Sequence, residues 1–266
     1  MFRNITLGQY YPADSILHAL DPRVKLFGAL IWIIGIFLMD SLWSFFLVTG
    51  FLMFLIIISK VPFSFMVKGL RSIMVIVIIA SVFNIFFTPG NALVEWGPVR
   101  ITDKGVINAV LMAIRMFYLI IGTSLMTLTT TPNNLTDGLS KALSPLEKLR
   151  VPVTDIAMMM TIALRFIPIL IEETNKIMKA QMARGADFEH GGIIKKAKNM
   201  VPLLVPLFVS AFRRANELAL AMEARCYSSG KKRTKLNPLK YARRDAIAYV
   251  VVLLFLAGLI VMKIYL

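Results

Sequence analysis

The chain has 266 residues, 58% of them apolar and 11% aromatic, with a mean hydropathy of +0.73 and a formal net charge of +15. Apolar content this high, gathered in uncharged runs approaching twenty residues, excludes a water-soluble globule and marks a polytopic membrane protein. The single cysteine, Cys226, excludes an internal disulfide, and with only His18 and His190 beside it no metal-ligand cluster is expected.

In chain order, residues 1–21 are polar and turn-rich, so no cleavable signal is expected there. Five membrane spans are predicted, at 24–39, 42–59, 72–88, 106–130 and 246–262, and the shorter ones need flanking residues to cover about 30 Å of hydrocarbon. Asp40-Ser41, Lys60-Val61-Pro62 and Thr88-Pro89-Gly90-Asn91 punctuate the first connections and set four spans in two hairpins. The predicted organisation is a membrane region at 1–130, a polar region at 131–244 and a last span within 245–266. The fold class is therefore all-α, with about five transmembrane helices and three cytoplasmic or interfacial ones.

Residues 131–244 hold 20 Lys and Arg against 9 Asp and Glu, a local net charge of +11. Positive charge beside short spans stays on the cytoplasmic side, which places this region and the N-terminus inside and, after five spans, the C-terminus outside. A pI near 10.1 is also the footprint of nucleic-acid binders. Charge bias beside membrane helices accounts for it here, no nucleic-acid motif occurs, and no nucleic-acid partner is expected.

Three helices are predicted in this region, at 133–149, 153–184 and from 195 or 201 to 225, the last bent early by Pro202 and Pro206. The second and third are apolar early and polar late: 156–171 has one charge, Arg165, whereas 172–184 has five. Helices of this kind run along or partly into the membrane boundary. Both end alike, in Ala183-Arg184-Gly185 and Ala224-Arg225-Cys226, 41 residues apart, and the match extends upstream as Asn-x4-Ala-x2-Ala-Arg through Asn175, Ala180, Asn216 and Ala221. Ordinary helix termination would account for an arginine in a last turn, where the dipole favours it by about 0.3–1 kcal/mol. Two copies in register favour a second reading, in which each guanidinium enters an acidic pocket on a partner and grips a carboxylate with two bonds.

The string Arg165-Phe166-Ile167-Pro168, then Glu172-Glu173, Gln181, Ala183-Arg184-Gly185-Ala186-Asp187-Phe188, Arg214-Ala215-Asn216-Glu217-Leu218-Ala219 and Ala221-Met222-Glu223-Ala224-Arg225 resembles the transmembrane component of energy-coupling factor transporters, the EcfT/CbiQ family. So does the amino-terminal stretch Gly8-Gln9-Tyr10-Tyr11-Pro12-Ala13-Asp14-Ser15, His18 and Leu20-Asp21-Pro22-Arg23-x-Lys25. The resemblance covers most of the chain. It implies a subunit of an ATP-driven importer of vitamins or other micronutrients that links two cytoplasmic ATPases to a small substrate-binding membrane subunit. One arginine end would dock on each ATPase, and ATP and Mg²⁺ would be bound by those partners, with no cofactor in this chain. Cys226 stands where the family often has glycine or another small residue, so a glycine-dependent helix end is less expected there.

In agreement with that division, Ser229-Gly230-Lys231-Lys232 lacks the upstream glycine and the hydroxyl residue of a phosphate-binding loop. The chain is not expected to be an enzyme. Alternatives are a self-sufficient channel or carrier, which calls for more intramembrane acids and broken-helix repeats, and a membrane-embedded enzyme using Arg115, His18 and Asp21, for which no nucleophile–base pair is found. Arg115, inside the fourth span, is a functional candidate by position but reads as a structural group pairing within the bundle or reaching toward a surface, and Asn84 as an interhelical hydrogen bond rather than a ligand. Met158-Met159-Met160 reads either as ordinary interior or as an adaptable contact surface for the substrate-binding subunit. Lys231-Lys232-Arg233 and Arg243-Arg244 are topology and lipid-headgroup charges.

Overall fold

The structure is a computed structural model and describes residues 10–39, 41–89, 92–96, 99–186, 188, 192–228 and 238–265. The described residues form α1 (Pro22–Phe37), α2 (Leu42–Ser59), α3 (Phe63–Phe87), strands β1 (Ala92–Trp96) and β2 (Val99–Thr102), α4 (Asp103–Leu128), α5 (Pro132–Ala142), a 3-10 turn (Ser144–Leu149), α6 (Val153–Ala183), α7 (Ile193–Ala224) and α8 (Arg243–Tyr265). The protein is all-α and polytopic, with one short hairpin. The described residues divide into two compact units, one within 8–139 and 239–266, the other within 140–238.

The first unit is a helix bundle. Asp21 starts α1 by capping the Arg23 amide, and Pro22 occupies the first helical position, where its missing N–H costs nothing and its fixed φ suits a helix. α1 packs on α4 and α8, α3 on α4, and α2 on both α8 and α4. The core gathers Ile31, Trp32, Ile36, Leu52, Ile121, Leu125, Phe255 and Leu259. Trp32, Phe51 and Phe255, from three helices, stack with Phe51 and Phe255 centroids 4.2 Å apart. The Trp32 indole lies directly on Gly122, where a Cβ would come within 2.0 Å of its ring nitrogen, and donates to the Tyr118 carbonyl at 3.1 Å. Glycine is thus what lets α1 and α4 close on that ring. Outward, Ile76, Phe87, Leu254 and Ile264 are more than three-fifths exposed. An apolar surface of that extent is stable against hydrocarbon and not against water.

Four described helices are long and apolar enough to cross a bilayer: α2, α4, α6 and α8. α1, with 16 residues, is shorter, and α3 carries Lys68 and Arg71 in its first half, leaving Met74–Phe87 as its apolar stretch. Both are held in the bundle by packing as well as by hydropathy. α6 qualifies because its charges are concentrated in its later turns; the sequence alone places it along or partly into the membrane boundary.

Two local features depart from the reading of the sequence. The connection 89–105 contains an antiparallel hairpin, with Glu95 opposite Arg100 and Trp96 opposite Val99, rather than plain loop. The helix predicted at 133–149 stops at Ala142 and gives way to the 3-10 turn, because Pro145 at the start of that turn lacks an amide donor and disfavours helical backbone before it.

In the second unit, α6 and α7 pack together and the 3-10 turn packs on α6. Both helices run unbroken through their prolines, Pro168 in α6 and Pro202 and Pro206 in α7.

Candidate functional site

The two Ala-Arg ends close in the same geometry. In α6, Arg184 is the C-cap, Gly185 adopts φ +88°, the Gly185 amide donates to the Met182 carbonyl at 3.0 Å and the Ala186 amide to the Gln181 carbonyl at 3.0 Å. In α7, Arg225 is the C-cap, Cys226 adopts φ +54°, its amide donates to the Glu223 carbonyl at 2.8 Å and the Tyr227 amide to the Met222 carbonyl at 2.9 Å. Both are Schellman motifs, satisfying the last free carbonyls with a left-handed residue just after the arginine. A glycine-dependent end is less expected at Cys226, yet the same type of end forms there: cysteine itself takes the left-handed conformation. For a residue with a Cβ that conformation costs roughly 1–2 kcal/mol. Cys226→Gly is therefore expected to stabilise the protein by about 1 kcal/mol and Gly185→Ala to destabilise it similarly. Thermal unfolding of the two variants measures this, and a Cys226→Gly variant that melts below wild type would contradict it.

Ala183, Arg184, Gly185, Ala224, Arg225 and Cys226 are all exposed. Each arginine therefore stands at the tip of a long helix with a small residue on either side, open to approach.

The contact between α6 and α7 relates the two ends. Arg214 Nη2 lies 3.4 Å from Glu173 Oε2, and each of these residues is eleven positions before the arginine that ends its helix. That places both tips about 16 Å along the helix axes beyond the contact. A groove of about 270 Å³ where the helices meet is lined by Ile162, Phe166 and Leu170 of α6 and by Ala211, Ala215 and Met222 among others of α7. Earlier residues of α6 thus face later residues of α7. The helices run past each other in opposing directions, and the two tips lie on opposite sides of the crossing. The α6 row is spaced by four, and on α7 Ala211, Ala215 and Ala219 share that spacing, so the side chains facing the groove from α7 are mostly small.

Met158 is partly exposed, Met159 and Met160 are 65% and 38% exposed, and the run lies in the second turn of α6. Ordinary interior does not describe Met159 in this chain. Lys231-Lys232-Arg233, Ser229-Gly230, His190, Asp187 and Gly8-Gln9 lie outside the described residues.

A second polar cluster, not anticipated as a unit, binds the first unit together. The Asp21 amide donates to Asp245 Oδ1 at 2.9 Å, and Asp245 Oδ2 accepts from the Ala242 amide at 2.7 Å. The Asp21 carboxylate takes both Nε and Nη2 of Arg23 at 3.0 and 2.8 Å, while the guanidinium lies 3.7 Å over the Tyr241 ring. Burial works against ionisation of Asp21, but the side-chain and backbone hydrogen bonds from Arg23 outweigh it and hold its carboxyl below the usual value. Lys25 Nζ donates to the Thr129 and His18 carbonyls, and the His18 ring bridges Ser15 Oγ and the Tyr11 carbonyl. The Asp-Pro-Arg-x-Lys string is thus a knot joining the amino-terminal segment, α1, α4 and α8. Asp21-Pro22 is a local signal for its helix start; nothing local signals the pairing with Asp245.

Arg115 is elsewhere. Its Nη2 donates to the Met39 carbonyl just past the C-terminal end of α1 at 2.5 Å, at the opposite end of that helix from His18 and Asp21. The structure therefore does not assemble the three residues on which a membrane-embedded enzyme would have depended. Asn84 Nδ2 reaches Met112 Sδ of α4 at 2.9 Å as well as the Ala80 carbonyl, an interhelical contact as read from the sequence.

An all-helical polytopic bundle, joined in sequence to a pair of crossing helices with exposed, matched arginine tips, is the architecture of a multi-pass membrane protein. The cobalt transport protein family model, CbiQ, matches residues 13–236. A transmembrane protein of the energy-coupling factor transporter, EcfT, from Clostridium kluyveri is 53% identical over 250 residues, covering 93% of each chain. Proteins of the same name from Ruminiclostridium cellulolyticum and Bacillus subtilis are 48% and 44% identical, each over 98% or more of both chains. The chain belongs to the family of energy-coupling factor transporter transmembrane proteins. It is a multi-pass membrane protein and a non-catalytic transporter component.

Proposed function

We propose that this protein is the coupling subunit of an ATP-driven importer of vitamins or other micronutrients, joining two cytoplasmic ATPases, themselves the sites of ATP and Mg²⁺, to one substrate-binding membrane subunit. The observation that carries this reading is the equivalence of the two arginine tips, which share one capping geometry, one exposure and one distance from the Glu173–Arg214 contact. Two like tips on opposite sides of a crossing suit two like partners. Arg184 enters a carboxylate-lined pocket on one ATPase and Arg225 on the other, with Ala183, Gly185, Ala224 and Cys226 keeping each approach clear. When the ATPases close on ATP, the tips move together, and the crossing converts that motion into displacement of the apolar early part of α6. The substrate-binding subunit rests there, on Met158, Met159 and Met160, whose thioether chains repack against different partner surfaces.

The test is co-expression of this chain with two ATPases and a substrate-binding subunit, followed by purification and uptake in proteoliposomes. Recovery of a four-part complex that takes up substrate only with ATP is the expected result; uptake by this chain alone would overturn the reading in favour of a self-sufficient channel or carrier. Replacing Met159 or Met160 by Asp is expected to weaken the substrate-binding subunit by about 1–3 kcal/mol, since a charge would be buried without a partner. The ATPases stay bound in the same preparation. Undiminished recovery of the substrate-binding subunit from both variants would place the contact elsewhere.

In this reading the arginine tips are cytoplasmic, as the +11 charge of 131–244 argues, and the C-terminus is outside. Cys226 is exposed, so the native chain should be labelled by an impermeant maleimide only from the cytoplasmic side. A Cys226→Ser, Asp103→Cys variant should be labelled only from the outside. Labelling of both from one side would contradict the topology.

A further inference from the structure

Between α1, α2, α4 and α8 the bundle leaves an apolar cavity of about 300 Å³, within the range of small-ligand sites. Trp32, Phe51 and Gly122 line its deep end, where the stacked rings fix the floor. The charged and hydroxyl-bearing residues of its lining are Lys25, Thr129 and Arg244, and they share the other end. Lys25 Nζ bonds the Thr129 carbonyl, and Arg244 adjoins Asp245, which holds the Asp21 amide. Lys25 and Trp32 are seven residues apart on α1, so the cavity is about 10 Å deep along that helix. Lys25 is only 8% exposed, and two carbonyls take two of its three ammonium donors, leaving one; Arg244 is exposed at the helix start. The rim residues Ile16, Phe54 and Ile247 are 64%, 48% and 64% exposed, so the cavity is reached across an apolar margin.

Apolar cavities of this size stay dry, and an apolar occupant restores the contacts that the lining lacks. A small anion alone would satisfy the two cations and leave the depth empty. A neutral hydrocarbon would fill the depth and leave the third Lys25 donor and the Arg244 guanidinium without an acceptor, although Asp21 and Asp245 stand near Lys25. An amphiphile with an anionic head and a hydrocarbon chain matches both ends, and the bilayer around the bundle supplies it at high local concentration. We propose that this cavity is a binding site for an anionic phospholipid, with one acyl chain between α1 and α2 and its phosphate against Lys25 and Arg244. The bound chain then completes the packing around Trp32, and the site belongs to the leaflet at the N-terminal end of α1. This inference rests on the membrane residence of the bundle and not on the docking of ATPases.

The full chain, purified in detergent and stripped of lipid, is titrated with dioleoylphosphatidylglycerol, dioleoylphosphatidylcholine and inorganic phosphate and followed by native mass spectrometry and thermal melting. Phosphatidylglycerol is expected to remain as a one-to-one adduct at tenfold or lower concentration than phosphatidylcholine and to raise the melting temperature, while phosphate leaves it unchanged. Arg244→Glu, a surface change, should erase the preference between the two lipids. Ala29→Leu with Ala248→Leu, both on the cavity wall, should reduce adduct formation at least tenfold while the lipid-free protein melts no lower than wild type. Equal retention of the two lipids by the wild type would overturn the proposal. So would an unchanged preference in Arg244→Glu, a melting shift reproduced by phosphate alone, or a filled-cavity variant that retains phosphatidylglycerol as the wild type does. Recovery of ATPases with the chain is a separate measurement, and its outcome leaves this one intact.

Discussion

Arg184→Ala combined with Arg225→Ala is expected to abolish retention of both ATPases, and each single variant to reduce substrate uptake while keeping one ATPase docked. Truncating one member of a buried charged pair costs about 2–5 kcal/mol, because the partner's carboxylate is left dry and unpaired. A loss of that size weakens a contact by roughly thirty- to several-thousandfold. Both arginines are exposed in the isolated chain, so their replacement leaves the Schellman ends and the fold intact, and the effect falls on assembly. Arg→Lys should rescue poorly at either tip, since a point charge cannot reproduce two parallel bonds to one carboxylate. Helix capping alone predicts something different: a loss near 1 kcal/mol, tolerance of lysine and no change in ATPase retention. Quantitative pull-down of each ATPase from the four genotypes separates the two. A double alanine variant that keeps both ATPases and transports at the wild-type rate would reduce the matched tips to a pair of helix ends.

What could be read from the chain beforehand follows the range of the forces involved. α2 is uncharged and mostly apolar between a serine and a lysine, and its predicted limits, 42–59, are those observed. The repeat of Asn-x4-Ala-x2-Ala-Arg was visible because it is a pattern in sequence. That the two ends are copies of one device is legible as well, but the Schellman geometry of the second required the backbone, since Cys226 conceals a left-handed residue that glycine would have announced. The hairpin went unread although Val99-Arg100-Ile101-Thr102 alternates as a strand does, because the segment sits between strong helical spans and carries turn residues on both sides. Glu173 and Arg214 share the 41-residue offset that relates the two arginines. That offset was the available signal for the crossing. Nothing local could link Asp21 to Asp245, which are 224 residues apart and come together only when α1 and α8 pack.

Asp245→Ala is expected to be the most damaging single substitution in the bundle. Asp245 is 1% exposed, and its two carboxylate oxygens accept from two different amides, those of Asp21 and Ala242. Removing the side chain leaves both donors without their partner where water has little access. Each buried unsatisfied amide costs about 1–3 kcal/mol, so the change should destabilise the fold by roughly 2–6 kcal/mol. The effect propagates because the Asp21 amide is the cap position of α1: if Asp21 shifts, its hold on Arg23 loosens, and with it the contact of Arg23 with Tyr241. Asp245→Asn keeps one acceptor oxygen and places an amide donor against the second N–H, so it should recover part of the loss and no more. Asp245 is also the acidic residue in the first turn of α8, where a negative charge is favoured by the helix dipole by about 0.3–1 kcal/mol. Glu at this position would keep that small term but displace the carboxylate by one methylene, so it should fall nearer to Ala than to wild type. Thermal unfolding of the detergent-purified variants should give the order wild type, Asn, Glu, Ala. If Ala melts within a degree of wild type, the two amides have other acceptors and the knot between α1 and α8 is not what holds the bundle at this end.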